Sequence, residues 1–207
     1  MILVGRDLSP FTRRVLVSMA LLDVSCERRE FSTTDDFQDI LGFNPAGRVP
    51  ALRTDDGETL VDSSAILDYL DEQAGDDRAL LPKRGEDRRR SLQSISQALS
   101  ATEKAVASFY ERRMKAEDKR DPNWVERCEN QSRGALQEVE RSAPAEGWFL
   151  GDKISQADIT AAVAYDFIGF VCPGVTDDAK YPKLAAWRDR MAAEPAFQAS
   201  SLEKYRT

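Results

Sequence analysis

The sequence predicts two domains, a small α/β domain followed by an all-helical bundle. Over about the first 75 residues, short apolar runs bounded by turn signals alternate with segments of helical periodicity. A polar stretch, "DDRALLPKRGEDRRR", follows, and from Arg88 onward nearly every segment is helical in its periodicity. We therefore predict an α/β domain over residues 1–77, a linker over 78–87 and a helical domain over 88–207.

The α/β domain begins with a strand and a helix. Residues 1–5, "MILVG", form an apolar run that predicts a short buried strand. Segment 10–22 is predicted to be helical, because apolar side chains recur at helical spacing and Pro10 suits a first helical turn. Residues 24–31 are a candidate second strand, and 34–43, with acidic residues at its start, is a short helix.

A hairpin and a third helix complete this domain. The segments "PALRT" and "ETLV" flank Asp55-Asp56-Gly57, a sequence typical of a hairpin turn. The following helix, 63–75, begins on serine residues and ends at Gly75. The predicted order is β-α-β-α-β-β-α, which gives a small sheet with helices packed on it.

The second half of the chain predicts a helical bundle whose breaks fall at prolines. The predicted helices cover 88–119, 122–142, 155–170 and 182–193, with a short tail helix after Pro195. Ser155 and Asp158 have the spacing of a capping box, and Ile154 and Ile159 are placed as a hydrophobic staple. We interpret this motif as structural, because it starts a helix and fixes the entry angle of the chain.

Composition narrows the chemistry that this chain can perform. Its 207 residues include no histidine, which excludes Ser-His-Asp and Cys-His mechanisms and histidine-bearing metal sites. No C-x-x-C pair or dense carboxylate cluster indicates another metal site, so we expect no metal cofactor. The net charge of −7 argues against a general nucleic-acid binder, because phosphate contacts need a basic face.

Cysteine usage and hydropathy indicate a reducing, cytoplasmic location. The three cysteines, Cys26, Cys128 and Cys172, are sparse and have no paired spacing, so we expect no disulfide framework. The N-terminus lacks the basic and apolar regions of a signal peptide. The longest apolar stretch, around 159–175, is interrupted by Asp166 and is too short to span a membrane.

The stretch "LSPFTRRVL", residues 8–16, joins the first predicted strand to the first helix. Thiol oxidoreductases carry C-x-x-C at such a turn, whereas the corresponding positions here are Ser9 and Thr12. A site at this turn must therefore work without a protein thiol. Without histidine, the groups left for chemistry in this chain are hydroxyls, carboxylates, cationic groups, thiols elsewhere in the chain and backbone dipoles.

Four motifs, in this order along the chain, resemble those of the cytosolic glutathione transferase superfamily: "SPFTRRV", "NPAGRVPAL", "DSSAILDYL" and "ISQADI". The resemblance covers essentially the whole chain and implies an N-terminal thioredoxin-like domain and a C-terminal helical bundle. The "SPFxRRV" form is similar to serine-type members, such as the plant tau class and many bacterial transferases. It departs from the cysteine-type omega and beta members. The family also implies a homodimer and the conjugation of electrophiles, a detoxification reaction.

The resemblance implies that glutathione brings the reactive thiol. A free thiol, with a pKa of about 8.5, is mostly protonated near pH 7, so the protein has to favour the thiolate. Ser9 would donate its hydroxyl hydrogen to the sulfur, and N–H groups at the start of helix 10–22 would add positive potential. The structural alternative for Ser9, which local sequence alone favours, is an N-cap of that helix.

The loop "GRVPAL" is similar to the family's cis-proline turn. Val49 would pair its backbone with the cysteinyl backbone of glutathione, whereas Pro50 could instead be a trans proline at a strand start. Arg48 stands where tau-like members have a lysine that meets the glycine carboxylate, and arginine can bind a carboxylate bidentately. A solvated loop cation is its alternative. Phe11 borders the sulfur by position, and core packing is its alternative role.

The motif "VDSSAIL" supplies the other end of the tripeptide. By the family pattern, Ser63 and the N–H groups of the helix start would hold the γ-glutamyl carboxylate, and Asp62 would face the γ-glutamyl ammonium. The structural alternative is that Ser63 is an ordinary N-cap.

In this family the second substrate lies against the long first helix of the helical half. Here that helix includes "SFYERRMK", residues 108–115, in which Phe109, Tyr110 and Arg113 are candidates to bind an aromatic or anionic electrophile. A helix with one core stripe and one charged face is the simpler interpretation of any one of these residues.

Together, these expectations describe a cytosolic, dimeric, serine-type glutathione transferase that binds glutathione and an electrophilic small molecule, with no nucleic-acid or membrane partner. Thiol–disulfide reduction is disfavoured, because a mixed disulfide needs a protein thiol at Ser9.

Two alternatives stay open. One is another glutathione-dependent enzyme, a zeta-type isomerase or a dehalogenase, although zeta members usually show "SSC" where this chain has "LSP". The other is a non-catalytic binding or regulatory protein of the same fold.

Overall fold

The structure, a computed structural model, describes residues 1–205. In chain order the elements are β1 (Ile2–Val4), α1 (Pro10–Leu21), β2 (Glu27–Arg29), α2 (Phe37–Leu41), β3 (Ala51–Arg53), β4 (Thr59–Val61), α3 (Ser63–Ala74), α4 (Gly85–Met114), α5 (Pro122–Ser142), α6 (Gln156–Val171), α7 (Pro182–Ala192) and α8 (Pro195–Gln198). Short 3₁₀ helices cover Glu117–Lys119 and Leu202–Tyr205. None of the helices in residues 1–205 combines the length and the hydropathy of a bilayer-spanning segment.

The first seven elements are four strands and three helices, and the strands form one mixed sheet with the order β2-β1-β3-β4. β1 runs parallel to β2 and antiparallel to β3, and β3 and β4 form the predicted hairpin. The observed β-α-β-α-β-β-α order, followed by helices, confirms the predicted fold class.

Alternation along the strands places apolar side chains on both faces of the sheet. On one face, Leu3 and Leu52 pack in a cluster with apolar side chains of α1 and α3. That cluster consists of Leu3, Val15, Met19, Leu22, Leu52, Ile66, Leu67 and Leu70. A second, smaller cluster joins Val4 and Ala51 to Ile40 of α2. The half-buried Val49 packs against this second cluster, which fixes the loop that precedes β3.

Two features of the helical region agree closely with the sequence. α5 has the predicted bounds 122–142. The predicted capping box begins α6, because Asp158 accepts the backbone N–H of Ser155 at 2.9 Å. The same carboxylate accepts the N–H of Phe149 at 2.8 Å, and burial raises the pKa of Asp158 despite these hydrogen bonds. The motif therefore ties the preceding loop to the start of α6.

The predicted helix 88–119 differs from the structure at both ends. In the structure this helix is α4, which begins at Gly85 and ends at Met114. Acidic residues in its first turn complement the helix dipole. Lys115 has an extended backbone, and its Nζ lies 2.9 Å from Oε1 of Glu111. The same oxygen accepts the N–H of Asp121 at 3.0 Å, so the chain folds back toward α5. The periodicity of the sequence does not report this contact.

The chain divides into two compact units. The first contains Met1–Pro82 together with residues 194–205, and the second contains Lys83–Ala193. The sequence-based division differs, because it places 88–207 in one helical domain, of which 206 and 207 lie outside the described residues. α8 belongs to the first unit because it packs on α1, where the Arg13 guanidinium carbon lies 4.0 Å from the centre of the Phe197 ring.

Candidate functional site

The candidate site lies in the first unit, where the β1–α1 turn meets the loop that precedes β3. Gly5 follows β1 and has a φ of 132°, a conformation that favours glycine. A Cβ at this position would collide with the hydroxyl oxygen of Thr12 and would lie 3.0 Å from the Cβ of Val49. Gly5 therefore allows the start of α1 and the loop before β3 to approach each other.

Ser9 is the N-cap of α1, in agreement with the structural interpretation of its sequence. The Oγ of Ser9 accepts a hydrogen bond from the backbone N–H of Thr12 at 3.3 Å. This bond uses a lone pair of the oxygen, so the cap does not consume the hydroxyl hydrogen. The side chains of Ser9 and Phe11 are half-buried at the start of the helix. Ser9 can thus cap α1 and donate a hydrogen bond at the same time.

The loop before β3 is ordered by Asn44. The peptide bond Val49–Pro50 is cis, as the resemblance to the family implies and unlike the trans alternative. Nδ2 of Asn44 donates to the carbonyl oxygen of Arg48 at 2.9 Å, and its Oδ1 accepts the N–H of Ala46 at 3.0 Å. The side chain of Arg48 is exposed. The side chain of Asn44 therefore determines the course of the backbone next to Val49.

The N-cap of α3 is Asp62, so the alternative role of Ser63 as an N-cap is wrong. Oδ1 of Asp62 accepts the N–H of Ser64 at 2.9 Å. Asp62 has a φ of 71°, which is uncommon outside glycine. Ser63 is the first helical residue and is only 2% exposed. The helix start therefore presents an exposed carboxylate next to a buried hydroxyl.

Arg14, which is not among the predicted site residues, is a buried cation beneath this helix start. Its Nη1 donates to the Oγ of Ser63 at 3.4 Å, which connects α1 to α3. Burial lowers the pKa of Arg14 to about 10, and the nearby charge of Asp62 partly opposes that effect. A buried cation beside a helix N-terminus gives this corner of the site an attraction for anions.

The sequence carries no clear signal for the burial of Arg14. Its neighbour one turn later is the polar Ser18, so only the structure shows that this face of α1 is buried. A buried arginine is unusual, because a buried charge needs a partner or a ligand.

The candidates for the second substrate lie in the other unit, on α4. Phe109 is half-buried, whereas Tyr110 and Arg113 are exposed. The rings of Phe109 and Tyr110 are 5.8 Å apart and tilted by 46°. Their neighbour Arg112 has a structural role, because its Nη2 lies 2.7 Å from Oε1 of Glu129.

The three cysteines are free, and burial raises the pKa of each thiol. Cys128 and Cys172 are buried in the helical unit, and Cys26 is half-buried in the first. Such thiols are poor nucleophiles at neutral pH, which supports their interpretation as structural residues. Across residues 1–205, no group of three or more acidic or cysteine side chains is arranged to hold a metal ion.

Both parts of the chain match models of one protein family. A model described as the N-terminal domain of glutathione S-transferase matches residues 3–78, and one described as its C-terminal domain matches residues 122–190. A maleylacetoacetate isomerase of Pseudomonas aeruginosa is 30% identical over 161 residues, which cover 76% of this chain and 73% of that protein. The glutathione S-transferase GstB of Escherichia coli K12 is 27% identical over 201 residues, 94% of each chain.

Solved structures show the same similarity. A glutathione S-transferase of Methylobacterium radiotolerans, in complex with glutathione sulfonate, has a TM-score of 0.89 and 26% identity, and covers 96% of this chain and 93% of that one. A glutathione transferase family member of Pseudomonas fluorescens Pf-5, with bound glutathione, has a TM-score of 0.85 and 30% identity over 96% and 97% of the two chains. The chain therefore belongs to the cytosolic glutathione transferase superfamily.

Proposed function

We propose that this chain is a serine-type glutathione S-transferase, which activates the thiol of glutathione at Ser9 and transfers it to an electrophilic small molecule. The observation that carries the proposal is the N-cap geometry of Ser9, which leaves its hydroxyl hydrogen outside the cap bond. Membership of a glutathione-dependent family and the absence of histidine both support a hydroxyl as the activating group.

Ser9 acts in this proposal by stabilising the thiolate. A hydrogen bond donated to the ionised sulfur favours the charged form and lowers the pKa of the glutathione thiol. N–H groups in the first turn of α1 add positive potential at the same point. Each unit of pKa lowering corresponds to about 1.4 kcal/mol in favour of the thiolate. Ser9 stays neutral throughout, so no base is needed to deprotonate it.

The remaining groups position glutathione around that sulfur. The backbone of Val49, next to Pro50, pairs with the cysteinyl backbone in the manner of an antiparallel strand. The exposed Arg48 binds the glycine carboxylate. Phe11 borders the sulfur and shields it from water.

The γ-glutamyl end of glutathione lies at the start of α3 in this proposal. Its carboxylate is attracted by the N-terminus of α3 and by the buried charge of Arg14 behind Ser63. Its ammonium group faces the exposed carboxylate of Asp62, which already caps the helix. The side chain of Ser63 is buried, so Ser63 contributes mainly by accepting the hydrogen bond that holds Arg14 in place.

Further features of the proposal come from the family. The electrophile binds against α4, with Phe109, Tyr110 and Arg113 as its contacts, and aromatic or anionic electrophiles suit that set. The protein acts as a homodimer in the cytoplasm and needs no metal.

The similarity to the Pseudomonas aeruginosa isomerase favours a second candidate function. A glutathione-dependent isomerase uses the same thiolate, which adds to an activated double bond and leaves again after rotation. Such an enzyme returns glutathione unchanged, whereas a transferase consumes it. The sequence "LSP" at the turn, in place of the zeta-type "SSC", is the reason to prefer the transferase.

Steady-state assays with a small panel of electrophiles test the proposal. The panel contains an aryl halide, an α,β-unsaturated ketone and a cis-configured unsaturated diketo acid, each with glutathione. We expect thioether formation with at least one of the first two, and a large loss of that rate in Ser9→Ala. The exposed Ser25 provides the matched control, Ser25→Ala, which should keep the rate. Isomerised product with no net loss of glutathione would instead establish the isomerase, and no turnover of any compound would contradict both candidates.

A further inference from the structure

Asp7 is a buried acid in the turn that carries Ser9, and the proposed mechanism does not use it. Its side chain is only 3% exposed, and two cations contact it. Nη2 of Arg28 lies 2.7 Å from Oδ1, and Nζ of Lys204 lies 2.7 Å from Oδ2. Burial alone would raise the pKa of Asp7, but the hydrogen bonds from Lys204 and Arg28 outweigh burial and lower it. Asp7 is therefore an ionised, fully paired carboxylate two residues before Ser9.

The two cations reach Asp7 from distant parts of the chain. Arg28 belongs to β2, and its Nη2 also lies 3.4 Å from the carbonyl oxygen of Gly5 in the same turn. Lys204 belongs to the 3₁₀ helix Leu202–Tyr205. It is separated from Asp7 by 197 positions in the sequence. The side chain of Lys204 is 48% exposed, so its ion pair with Asp7 is partly open to solvent.

The C-terminal segment, residues 194–205, is held on the first unit at a second point. Phe197 of α8 is buried, and the guanidinium group of the buried Arg13 stacks on its ring. Arg13 lies in the first turns of α1, and its backbone N–H donates to the carbonyl oxygen of Ser9 at 2.8 Å. The C-terminal segment thus contacts the elements on both sides of Ser9, namely the turn before it and the helix after it.

We propose that Lys204, acting through Asp7, is a positioning residue that holds the β1–α1 turn so that the hydroxyl of Ser9 points at the sulfur of bound glutathione. This inference rests on the proposed function. Placement of the activating group matters, because an error of about 1 Å can cost on the order of a hundredfold in rate. The alternative is that the C-terminal segment only stabilises the first unit and leaves the geometry at Ser9 unchanged.

The experiment compares Lys204→Met with the conservative variant Lys204→Arg in the full-length protein. Lys204→Met keeps the aliphatic stem and removes the charge, whereas Lys204→Arg keeps a cation that can reach Asp7. The control is Lys180→Met in the helical unit, which removes a surface lysine paired with Asp177. Asp7→Asn removes the negative charge that Lys204 and Arg28 both contact, and it is the second variant in case Lys204→Met fails to fold.

Two readouts separate positioning from simple stabilisation. The first is the pKa of the bound glutathione thiol, followed by its ultraviolet thiolate absorbance together with kcat and KM. We expect Lys204→Met to raise that pKa by about half a unit and to lower kcat about three- to tenfold, with KM for glutathione within about twofold. The second is hydrogen exchange of the peptide covering residues 5–14 in the ligand-free protein, which should become faster. Lys204→Arg should restore both readouts, and Lys180→Met should change neither.

Three results would overturn the inference. Unchanged exchange of the 5–14 peptide in Lys204→Met would show that Lys204 does not hold the turn. Faster exchange with an unchanged thiol pKa would show that it holds the turn without positioning Ser9. A wild-type protein that binds no glutathione would contradict the proposed function and this inference with it, whereas the first two results leave the proposed function intact.

Discussion

The oxygen and the hydrogen of the Ser9 hydroxyl group can form different hydrogen bonds. Its oxygen accepts the N–H of Thr12 and starts α1, while its hydrogen is available to a thiolate. An alanine at this position would remove both functions at once. A glycine separates them, because glycine is nearly as good an N-cap as serine but has no hydroxyl.

We predict that Ser9→Gly keeps most of the stability of the protein and loses most of its activity. The free energy of unfolding should fall by a few tenths of a kcal/mol, and by about 1 kcal/mol in Ser9→Ala. The conjugation rate should fall roughly tenfold or more in both variants, because both lose the donor to the sulfur. Denaturant unfolding and steady-state kinetics check the two parts. An undiminished rate in Ser9→Gly would mean that Ser9 is only a cap.

Arg14 is a buried cation that we propose binds the anionic end of glutathione. Its Nη1 contacts Ser63 at the limit of hydrogen-bond distance, and burial lowers its pKa to about 10. The folded protein therefore carries the cost of an incompletely paired cation, which an anionic ligand would offset.

We predict that Arg14→Met weakens glutathione binding without a matching loss of stability. The dissociation constant should rise about tenfold, which corresponds to about 1.4 kcal/mol. The free energy of unfolding should change by less than about 1 kcal/mol, because Met fills a similar volume, the lost hydrogen bond to Ser63 is long at 3.4 Å, and the cost of burying the charge disappears. Calorimetry and denaturant unfolding measure these quantities. Arg53→Met, which removes an arginine stacked on Phe43 elsewhere in the first unit, is the control. Unchanged affinity in Arg14→Met would refute the role given to Arg14.

At the scale of elements, the local pattern predicted order and type well. The four strands, the hairpin turn and the bounds of α5 follow from apolar alternation, turn residues and proline positions. The end of α4 was missed, because Glu111 binds Lys115 and the N–H of Asp121 across a loop. Such a contact depends on where the chain returns, which periodicity does not encode.

The start of α3 has the same mixture of predictable and unpredictable features. The pattern "VDSSAIL" located a helix start, and the structure assigns its cap to Asp62 instead of Ser63. The difference arises because Ser63 faces Arg14 from another helix, which leaves capping to the preceding residue.

We predict that Asp62→Asn separates the cap from the charge at this helix start. Asparagine caps helices about as well as aspartate and tolerates a positive φ, so the free energy of unfolding should change by less than about 0.5 kcal/mol. Glutathione binding should weaken about tenfold, because the γ-glutamyl ammonium loses its carboxylate partner. Calorimetry at pH 7 gives the affinity. Equal affinities for wild type and variant would remove Asp62 from the binding site.

For the whole molecule, the sequence identified the family and predicted two of the segments that we propose form the site. Ser9 and Val49–Pro50 could be located because they lie in short contiguous motifs. Arg14, Asp7 and Lys204 could not, because their contacts join residues that are far apart in the chain. The assignment of 194–205 to the first unit was missed for the same reason.

We predict that Asp7 makes the first unit sensitive to acid. Because its pKa is lower in the folded protein than in the unfolded chain, its ion pairs stabilise the protein above the unfolded value of about 3.9. That contribution is lost as the pH falls through the lower, folded value. Asp7→Asn should therefore be less stable than wild type at pH 7, and the difference should shrink below about pH 4. Denaturant unfolding across pH 3–7 measures it, and a difference that stays constant over this range would contradict the assignment.

The most direct test of the central claim is glutathione binding by the wild-type protein, measured by calorimetry, with the ionisation of the bound thiol followed by its ultraviolet absorbance across pH. The account predicts saturable binding and a thiolate that appears well below the free thiol's pKa of about 8.5. No binding at millimolar glutathione, or a bound thiol that ionises at the same pH as the free one, would contradict it.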